Sequence, residues 1–168
     1  MMQEVLNAFT FEWRLVLVDF IRVAIAFVLA LPIAHERASS ARSVGLRTFP
    51  IVAIASCGYM LIAKDLAGSS ADTMTRALQG LLGGIGFIGG GAILKENGSI
   101  YGLATAASLW NTGALGAAVA FGREEIALVL CLLNFMLLRL LTPVVSDEGY
   151  TGIATKAGTS SDAESADE

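Results

Sequence analysis

Residues 80–94 read GLLGGIGFIGGGAIL and combine seven glycines with eight apolar residues. Glycine weakens a helix in water, because its backbone loses more conformational freedom on folding than that of any other residue. In a lipid bilayer the same residue is useful, since helices associate there by close packing and small residues let two backbones approach. The stretch therefore favours a helix of a membrane protein over a segment of a soluble fold.

The composition of the whole chain also indicates a protein whose surface faces lipid. Of its 168 residues 55% are hydrophobic and 15% are charged, and the mean hydropathy is +0.67. A soluble domain carries about 25% charged residues, so the chain has too few charges to cover a surface that faces water.

Five apolar runs approach the length that crosses a bilayer. They cover residues 14–34, 48–66, 78–95, 101–121 and 125–143. The sequence predicts an all-α, polytopic membrane protein, a bundle of about five transmembrane helices.

Basic residues in the short loops predict the orientation of this bundle. Arg37, Arg42 and Arg47 lie between the first two runs, and Lys95 lies at the end of the third. Cytoplasmic loops are enriched in Lys and Arg, so these loops fit the cytoplasmic side. The pattern predicts an N-terminus outside the cell and a C-terminus in the cytoplasm. Acidic residues before the first run argue against a cleavable signal peptide.

The residues after the last run differ from the rest. Residues 146–168 hold six acidic residues and one lysine, a net charge of −5, and are otherwise rich in Gly, Ser and Ala. They bury too little apolar surface to offset the entropy of ordering. We expect a transmembrane domain over residues 1–145 and a disordered acidic cytoplasmic tail over residues 146–168. No part of the chain has the basic patch expected of a nucleic-acid partner.

The glycines of the third run fall on more than one face of a helix. Gly80 and Gly84 are four residues apart, as are Gly86 and Gly90, which is the spacing of helix contacts in membranes. A helix of this kind packs against several neighbours, so we expect it at the centre of the bundle. The residues predicted to mediate helix packing are Gly80, Gly84, Gly86, Gly89, Gly90, Gly91, Gly102 and Gly113.

Two alternatives to close packing concern the same run. Residues 84–89 match the GxGxxG pattern of dinucleotide sites, but no strand precedes them and no acidic residue follows at the required distance. We therefore set the nucleotide site aside. The second alternative is a helix broken at Gly89–Gly91, since unwound membrane helices expose carbonyl groups to ions. This alternative stays open beside close packing.

The fourth run carries a polar stripe. Thr105, Ser108 and Thr112 follow one another at helical spacing, and Asn111 lies beside them. Hydroxyls in a helix bond to the carbonyl four residues earlier, whereas an amide in lipid needs a partner helix or water. The stripe either holds two helices together or lines a polar pathway.

The first run contains the charges that cost most in lipid. Asp19 and Arg22 are three residues apart and share a helix face. They either form a functional pair inside the bundle or anchor the helix at the outer interface, with Arg22 extended towards water. Glu36 and Arg37 follow about four turns later, and Arg47 precedes the second run, so the cytoplasmic ends of the first two helices are the most charged part of the body.

Cysteine and histidine give no sign of a cofactor or an enzyme. Cys57 and Cys131 lie inside apolar runs without a CxxC spacing, which indicates buried, unreactive thiols. His35 is the single histidine, and one imidazole without a second is a weak metal ligand. No Ser–His or paired-Asp arrangement is present, so the sequence predicts a protein that is not an enzyme and holds no cofactor.

Four motifs in order resemble the MgtC/SapB family of bacterial inner-membrane proteins, over about residues 15–122. Residues 84–94, GIGFIGGGAIL, resemble the glycine-rich third helix of that family, and residues 102–110, GLATAASLW, resemble its GLTTAASLW signature. The opening pattern of the family is matched at Arg22, Glu36, Arg37, Gly45, Leu46, Arg47 and Thr48. Ala104 departs from the signature, where the family usually has Thr or Asn.

The resemblance implies a multi-pass protein of the bacterial inner membrane, linked to adaptation to low magnesium. It implies the short form of the family, without the folded cytoplasmic domain that some relatives carry. The polar residues that match family motifs or share their position are Arg22, Glu36, Arg37, Arg47, Thr48, Thr105 and Asn111. The family supports two functions, a transporter of Mg²⁺ and a regulator of other membrane machinery such as the ATP synthase or a transporter.

The residues themselves favour the regulator. Mg²⁺ prefers oxygen ligands, and Asp19 is the single candidate acid away from the ends of the apolar runs, close to an arginine that repels cations. We therefore expect a protein that packs its helices against a larger membrane partner. The alternative is a transporter or channel for Mg²⁺ or another cation, lined by helices 1, 3 and 4, in which a homodimer would double the ligands.

Overall fold

The computed structural model describes residues 12–40, 45–68, 70–96 and 99–141. The predicted acidic tail and Arg42 lie outside these described residues. The elements are α1 (Trp13–Ser40), α2 (Gly45–Ala67), α3 (Ala71–Gly91), β1 (Leu94–Glu96), β2 (Ser99–Tyr101) and α4 (Leu103–Ala120). A further helix, α5, covers residues 124–141. Each of the five helices falls on one of the five predicted apolar runs, so the helical bundle is confirmed.

The largest difference between a helix and its predicted run lies at the start of α3. The helix α3 begins at Ala71, seven residues before the predicted start at 78, because Ser70 caps it. The Ser70 hydroxyl accepts a hydrogen bond from the backbone N–H of Thr73 at 3.3 Å, and Asp72 places a negative charge in the first turn, where the helix dipole favours it. Composition alone missed this turn because it is polar.

A short β-hairpin, which the sequence did not predict, connects α3 to α4 in the otherwise helical described residues. The strands β1 and β2 form an antiparallel hairpin in which Leu94 pairs with Tyr101. The helix α3 is continuous through Gly89 and Gly90 and ends at Gly91. The alternative of a helix broken at Gly89–Gly91 is therefore wrong, since the chain leaves the helix there and does not resume it.

The buried core lies mainly between α1, α2, α4 and α5. Its largest fully buried apolar side chains are Phe49 and Met60 of α2, Ile33 of α1, and Leu115 and Val119 of α4. The helices α2 and α4 pack against each other, and each also contacts α1 and α3. They are the central helices of the bundle.

The glycine-rich helix α3 is peripheral, which corrects the prediction that it lies at the centre. Ile85 and Gly89 are its only buried residues, and its main contacts are with α4 and α2. Phe87 keeps 85% of its surface exposed. A helix with so many glycines has few side chains that reach a neighbour, so most of its surface stays uncovered within one chain.

Exposed apolar side chains cover much of the surface. They include Trp13 and Phe20 of α1, Phe87 of α3, and Leu133 and Leu137 of α5. A water-facing surface rarely carries so many large apolar groups together, whereas a lipid-facing surface requires them. By length and composition, Trp13–Ala38 of α1 and Gly45–Ala67 of α2 are candidate membrane spans. The predicted number of about five spans stays a prediction.

Candidate functional site

Four helix ends meet at one end of the bundle and enclose a cavity of about 210 Å³. We call this the Arg37 end. The cavity lies beside the last residues of α1 and α3 and the first residues of α2 and α4. Its walls consist of Arg37, Gly45, Thr48, Phe49, Ile88, Gly91, Ala92, Thr105 and Leu109. Three of the predicted polar residues, Arg37, Thr48 and Thr105, thus lie around one space although they are far apart in the sequence.

Arg37 is the one charged residue in the cavity wall. Its side chain is 92% buried, with 8% of its surface exposed, and its Nε is a buried donor without a hydrogen-bond partner. A buried polar group is normally bonded, because leaving it unbonded costs free energy. Arg37 thus brings a positive charge to the cavity wall, together with a donor that the described residues leave unsatisfied.

Gly45 makes this burial possible. A Cβ at position 45 would lie 2.9 Å from the Ala34 carbonyl oxygen, the Ala38 nitrogen and the Arg37 Cβ. Any side chain would therefore push the start of α2 away from the end of α1. Glycine at this position lets α2 begin directly against the turn that carries Arg37.

Glu36 and Arg47 lie near Arg37 in the sequence but have different surroundings. Glu36 is buried, and its Oε2 lies 3.5 Å from Nη1 of Arg139 on α5. This ion pair joins the first and last described helices at the Arg37 end, and no spacing in the sequence predicts that the two residues pair. Arg47 is exposed and does not line the cavity.

Asp19 and Arg22 lie in the other half of α1. Both are partly buried, and both lie within electrostatic reach of Cys57 on α2, which is fully buried. The ion pairs found among the described residues do not join Asp19 to Arg22. The two charges are thus close to the α1–α2 contact without forming a pair with each other.

The polar stripe of α4 bonds to α5. The Ser108 hydroxyl donates to Oδ1 of Asn134 at 3.1 Å, and Nδ2 of Asn111 donates to the Leu130 carbonyl at 3.3 Å. The Thr112 hydroxyl donates to the carbonyl of Ser108, in its own helix, at 2.8 Å. These bonds favour the interpretation of the stripe as a contact between helices. Sequence reasoning missed Asn134, although a single amide within the apolar run 126–138 was a usable signal.

The predicted packing glycines divide into two groups. Gly89 approaches the Ala106 backbone, Gly113 lies against Ile85, and Gly102 lies against the Ala92 carbonyl. A Cβ at any of the remaining five would meet no atom within 4 Å in this chain; these are Gly80, Gly84, Gly86, Gly90 and Gly91. The second group therefore mediates no packing within the described part of the chain.

Gly80 and Gly84 line a second, larger space. A groove of about 580 Å³ runs between α2 and α3. Its walls are formed by Ile51, Val52, Ala55, Ser56, Tyr59 and Met60 of α2 and by Ala77, Gly80, Leu81, Gly84, Ile85 and Ile88 of α3. We call this the α2–α3 groove. It is almost entirely apolar, and it is wide where glycine replaces a side chain.

Among the described residues, the metal-ligating side chains of His, Cys, Asp and Glu do not form a group of three or more that could hold a metal ion. His35 is exposed at the Arg37 end of α1.

Comparison with known proteins places the sequence motifs in a wider context. Residues 23–146 match the model of the MgtC family. Over 120 residues the chain is 32% identical to the protein SrpB of Synechococcus elongatus, covering 64% of this chain and 66% of that one. It is 35% identical to the protein MgtC of Brucella abortus, covering 71% of this chain and 50% of that one.

A relative from Escherichia coli K12 bears the name "Putative magnesium transporter YhiD" and is 33% identical over 115 residues, 64% of this chain and 53% of that protein. The chain thus aligns with half to two thirds of the length of these three relatives. No solved structure matches the chain.

Proposed function

The chain belongs to the MgtC family, and we propose that it serves growth at low magnesium by regulating another protein of the bacterial inner membrane. In this proposal all five helices cross the bilayer, with the N-terminus outside and the Arg37 end at the cytoplasmic face. The basic residues around the first loop support this orientation. The name of the Escherichia coli relative supports the link to magnesium. The protein acts by binding and not by catalysis.

The observation that carries the regulatory function is the α2–α3 groove. Helices associate in lipid where small residues allow close approach, and the walls of this groove offer two glycines and apolar side chains along several turns. Its volume of about 580 Å³ accommodates side chains of a partner helix. The groove faces outward from α3, the helix that is least covered by its own chain.

The alternative is a transporter of Mg²⁺ or another cation. The hydroxyls of Thr48 and Thr105 in the wall of the Arg37-end cavity favour it, because Mg²⁺ prefers oxygen ligands. The guanidinium of Arg37 lies in the same wall and is charged at all accessible pH values. A buried positive charge repels a cation strongly where the dielectric constant is low. The geometry therefore favours the regulator.

We expect Gly84→Leu to impair growth at limiting magnesium in a strain that lacks the chromosomal gene. The leucine would extend into the α2–α3 groove and exclude a partner helix, while a Cβ at position 84 would meet no atom within 4 Å. Gly86→Leu is the matched control, since position 86 also meets no atom within 4 Å but does not line the groove. The measurements are growth rate and membrane abundance of both variants. Equal growth of the two variants at equal abundance would contradict a function of the groove.

We expect no saturable Mg²⁺ flux when the folded protein is reconstituted into sealed liposomes that contain a Mg²⁺-sensitive dye. The regulator needs no path through the bundle. The control is Asp19→Ala, which removes the acid that the sequence singles out within α1. Saturable flux that disappears in this variant would replace the regulator by the transporter.

A further inference from the structure

We infer that the cavity at the Arg37 end binds a phosphate group. The inference goes beyond a regulatory function, because it assigns a ligand to a site and does not depend on which protein is regulated. It rests on three features of the cavity. These are the unsatisfied nitrogen of Arg37, the two helix beginnings in the wall, and the charge distribution around it.

The first feature is the donor that Arg37 offers. Its side chain is 92% buried, yet its Nε has no hydrogen-bond partner. Since the guanidinium keeps its proton in proteins, its positive charge persists in the cavity wall. Phosphate provides several acceptor oxygens, and an arginine donates to two of them at once.

The second feature is that two helices begin at the cavity. Gly45 and Thr48 belong to the first turn of α2, and Thr105 belongs to the first turn of α4. The first N–H groups of a helix have no partner within the helix and form a site for anions. The N-cap of α4, Gly102, makes no side-chain hydrogen bond to this turn. Thr105 also brings a hydroxyl group to the cavity wall.

The third feature is the balance of charge. Arg47 and Arg139 add positive charge to the Arg37 end, while Glu36 lies 3.5 Å from Arg139. Glu36 is not among the residues that line the cavity. Phe49, Ile88 and Leu109 make the rest of the wall apolar, which strengthens the attraction between the guanidinium and an anion.

Two sources can supply the phosphate group. One is the headgroup of an anionic phospholipid, because the cavity lies at the end of the bundle, where headgroups meet a membrane protein. The other is free inorganic phosphate from the cytoplasm. The cavity of about 210 Å³ is roomy for either group, so the experiment needs one arm for each.

The decisive variants are Gly91→Leu and Gly90→Leu. A Cβ at either position would meet no atom within 4 Å, so neither substitution starts with a backbone clash, but Gly91 lines the cavity and Gly90 does not. Leucine at position 91 would occupy the phosphate site and leave Arg37 in place. Arg37→Gln is a second variant that removes the charge, and the glycine pair keeps the test valid if this buried substitution fails to fold.

The lipid arm uses native mass spectrometry of the full chain released from nanodiscs of phosphatidylglycerol and phosphatidylcholine. The phosphate arm uses the shift of Tm in detergent on addition of inorganic phosphate, against chloride and acetate at equal ionic strength. We expect affinity in one of these arms to fall at least about tenfold in Gly91→Leu and in Arg37→Gln, as for a lost hydrogen bond to a charged group. Gly90→Leu should bind as the unchanged protein does.

The arm in which this difference appears identifies the source of the phosphate. Three results would overturn the inference. The first is that the folded, unchanged protein binds in neither arm. The second is that Gly91→Leu and Gly90→Leu bind equally well. The third is that acetate raises Tm as much as phosphate does, since any small anion would then suffice.

Discussion

Gly116→Ala is expected to lower the free energy of unfolding by about 3 kcal/mol, the upper range for overpacking a core. Gly116 lies where α4 crosses α2, and a Cβ there would overlap the carbonyl oxygen of Ala53 and lie 3.0 Å from the Ser56 Cβ. A backbone carbonyl cannot rotate away as a side chain can. The two central helices would have to separate, and both contribute to most contacts of the bundle.

Gly113→Ala is the matched control for this prediction. Position 113 is one turn away on the same helix and equally buried, but a Cβ there would meet the Cδ1 end of Ile85. That end belongs to a flexible side chain at the edge of the α2–α3 groove, so it has space to move. We expect Gly113→Ala to cost about 1 kcal/mol or less.

The buried cysteine of α2 provides the measurement. Cys57 is fully buried and follows Ser56, the residue that faces Gly116. Maleimide labelling of Cys57 in detergent is followed over temperature in variants that also carry Cys131→Ser, since Cys131 is a second free cysteine. It then reports when α2 and α4 separate. Labelling of Gly116→Ala should begin at a clearly lower temperature than labelling of Gly113→Ala. Identical labelling curves for the two variants would show that the α2–α4 contact tolerates a methyl group.

Gly102→Ala is expected to cost about 3 kcal/mol and to detach the hairpin from the start of α4. Gly102 has φ of +86°, a left-handed conformation that costs an L-residue roughly 1–2 kcal/mol. A Cβ at this position would also overlap the carbonyl oxygen of Ala92, which adds an overpacking cost of about 1–3 kcal/mol. Both costs arise at the N-cap residue, immediately before the first residue of α4.

Gly122→Ala separates these two costs. Gly122 has φ of +71°, but a Cβ there would meet no atom within 4 Å. Its replacement should therefore cost only the left-handed conformation, about 1 kcal/mol. The difference in Tm between the two alanine variants measures the close approach of Gly102 to Ala92. Equal Tm values would mean that the hairpin shifts without loss and that the contact has little effect on stability.

Much of the fold could be predicted from the sequence because the relevant signals are local. Apolar runs of sufficient length predicted all five helices, and the shortage of charge predicted a surface that faces lipid. The hairpin at 94–101 was missed, since three residues in each strand are too few for a periodic pattern to appear. The early start of α3 was missed because a capped polar turn contributes nothing to hydropathy.

The candidate site could be predicted in its residues but not in its arrangement. Motifs of the family singled out Arg37, Thr48 and Thr105, and the structure places all three in one cavity wall. Arg47 came from the same motif and is exposed. The pair of Glu36 with Arg139 and the bond of Ser108 to Asn134 join residues that are far apart in the chain. No spacing in the sequence encodes such pairs.

Composition and the length of the apolar runs alone determined that this chain is a helical bundle of the membrane. Each run is long and apolar enough to form a helix in lipid without contact with the other runs. The tertiary structure alone decided which glycines carry the packing. The conspicuous ones at 80–91 mostly face open space, whereas Gly116 lies against the backbone of another helix. The physical reason is that contact requires two surfaces. A glycine offers close approach, and only the position of a second helix decides whether that approach is used.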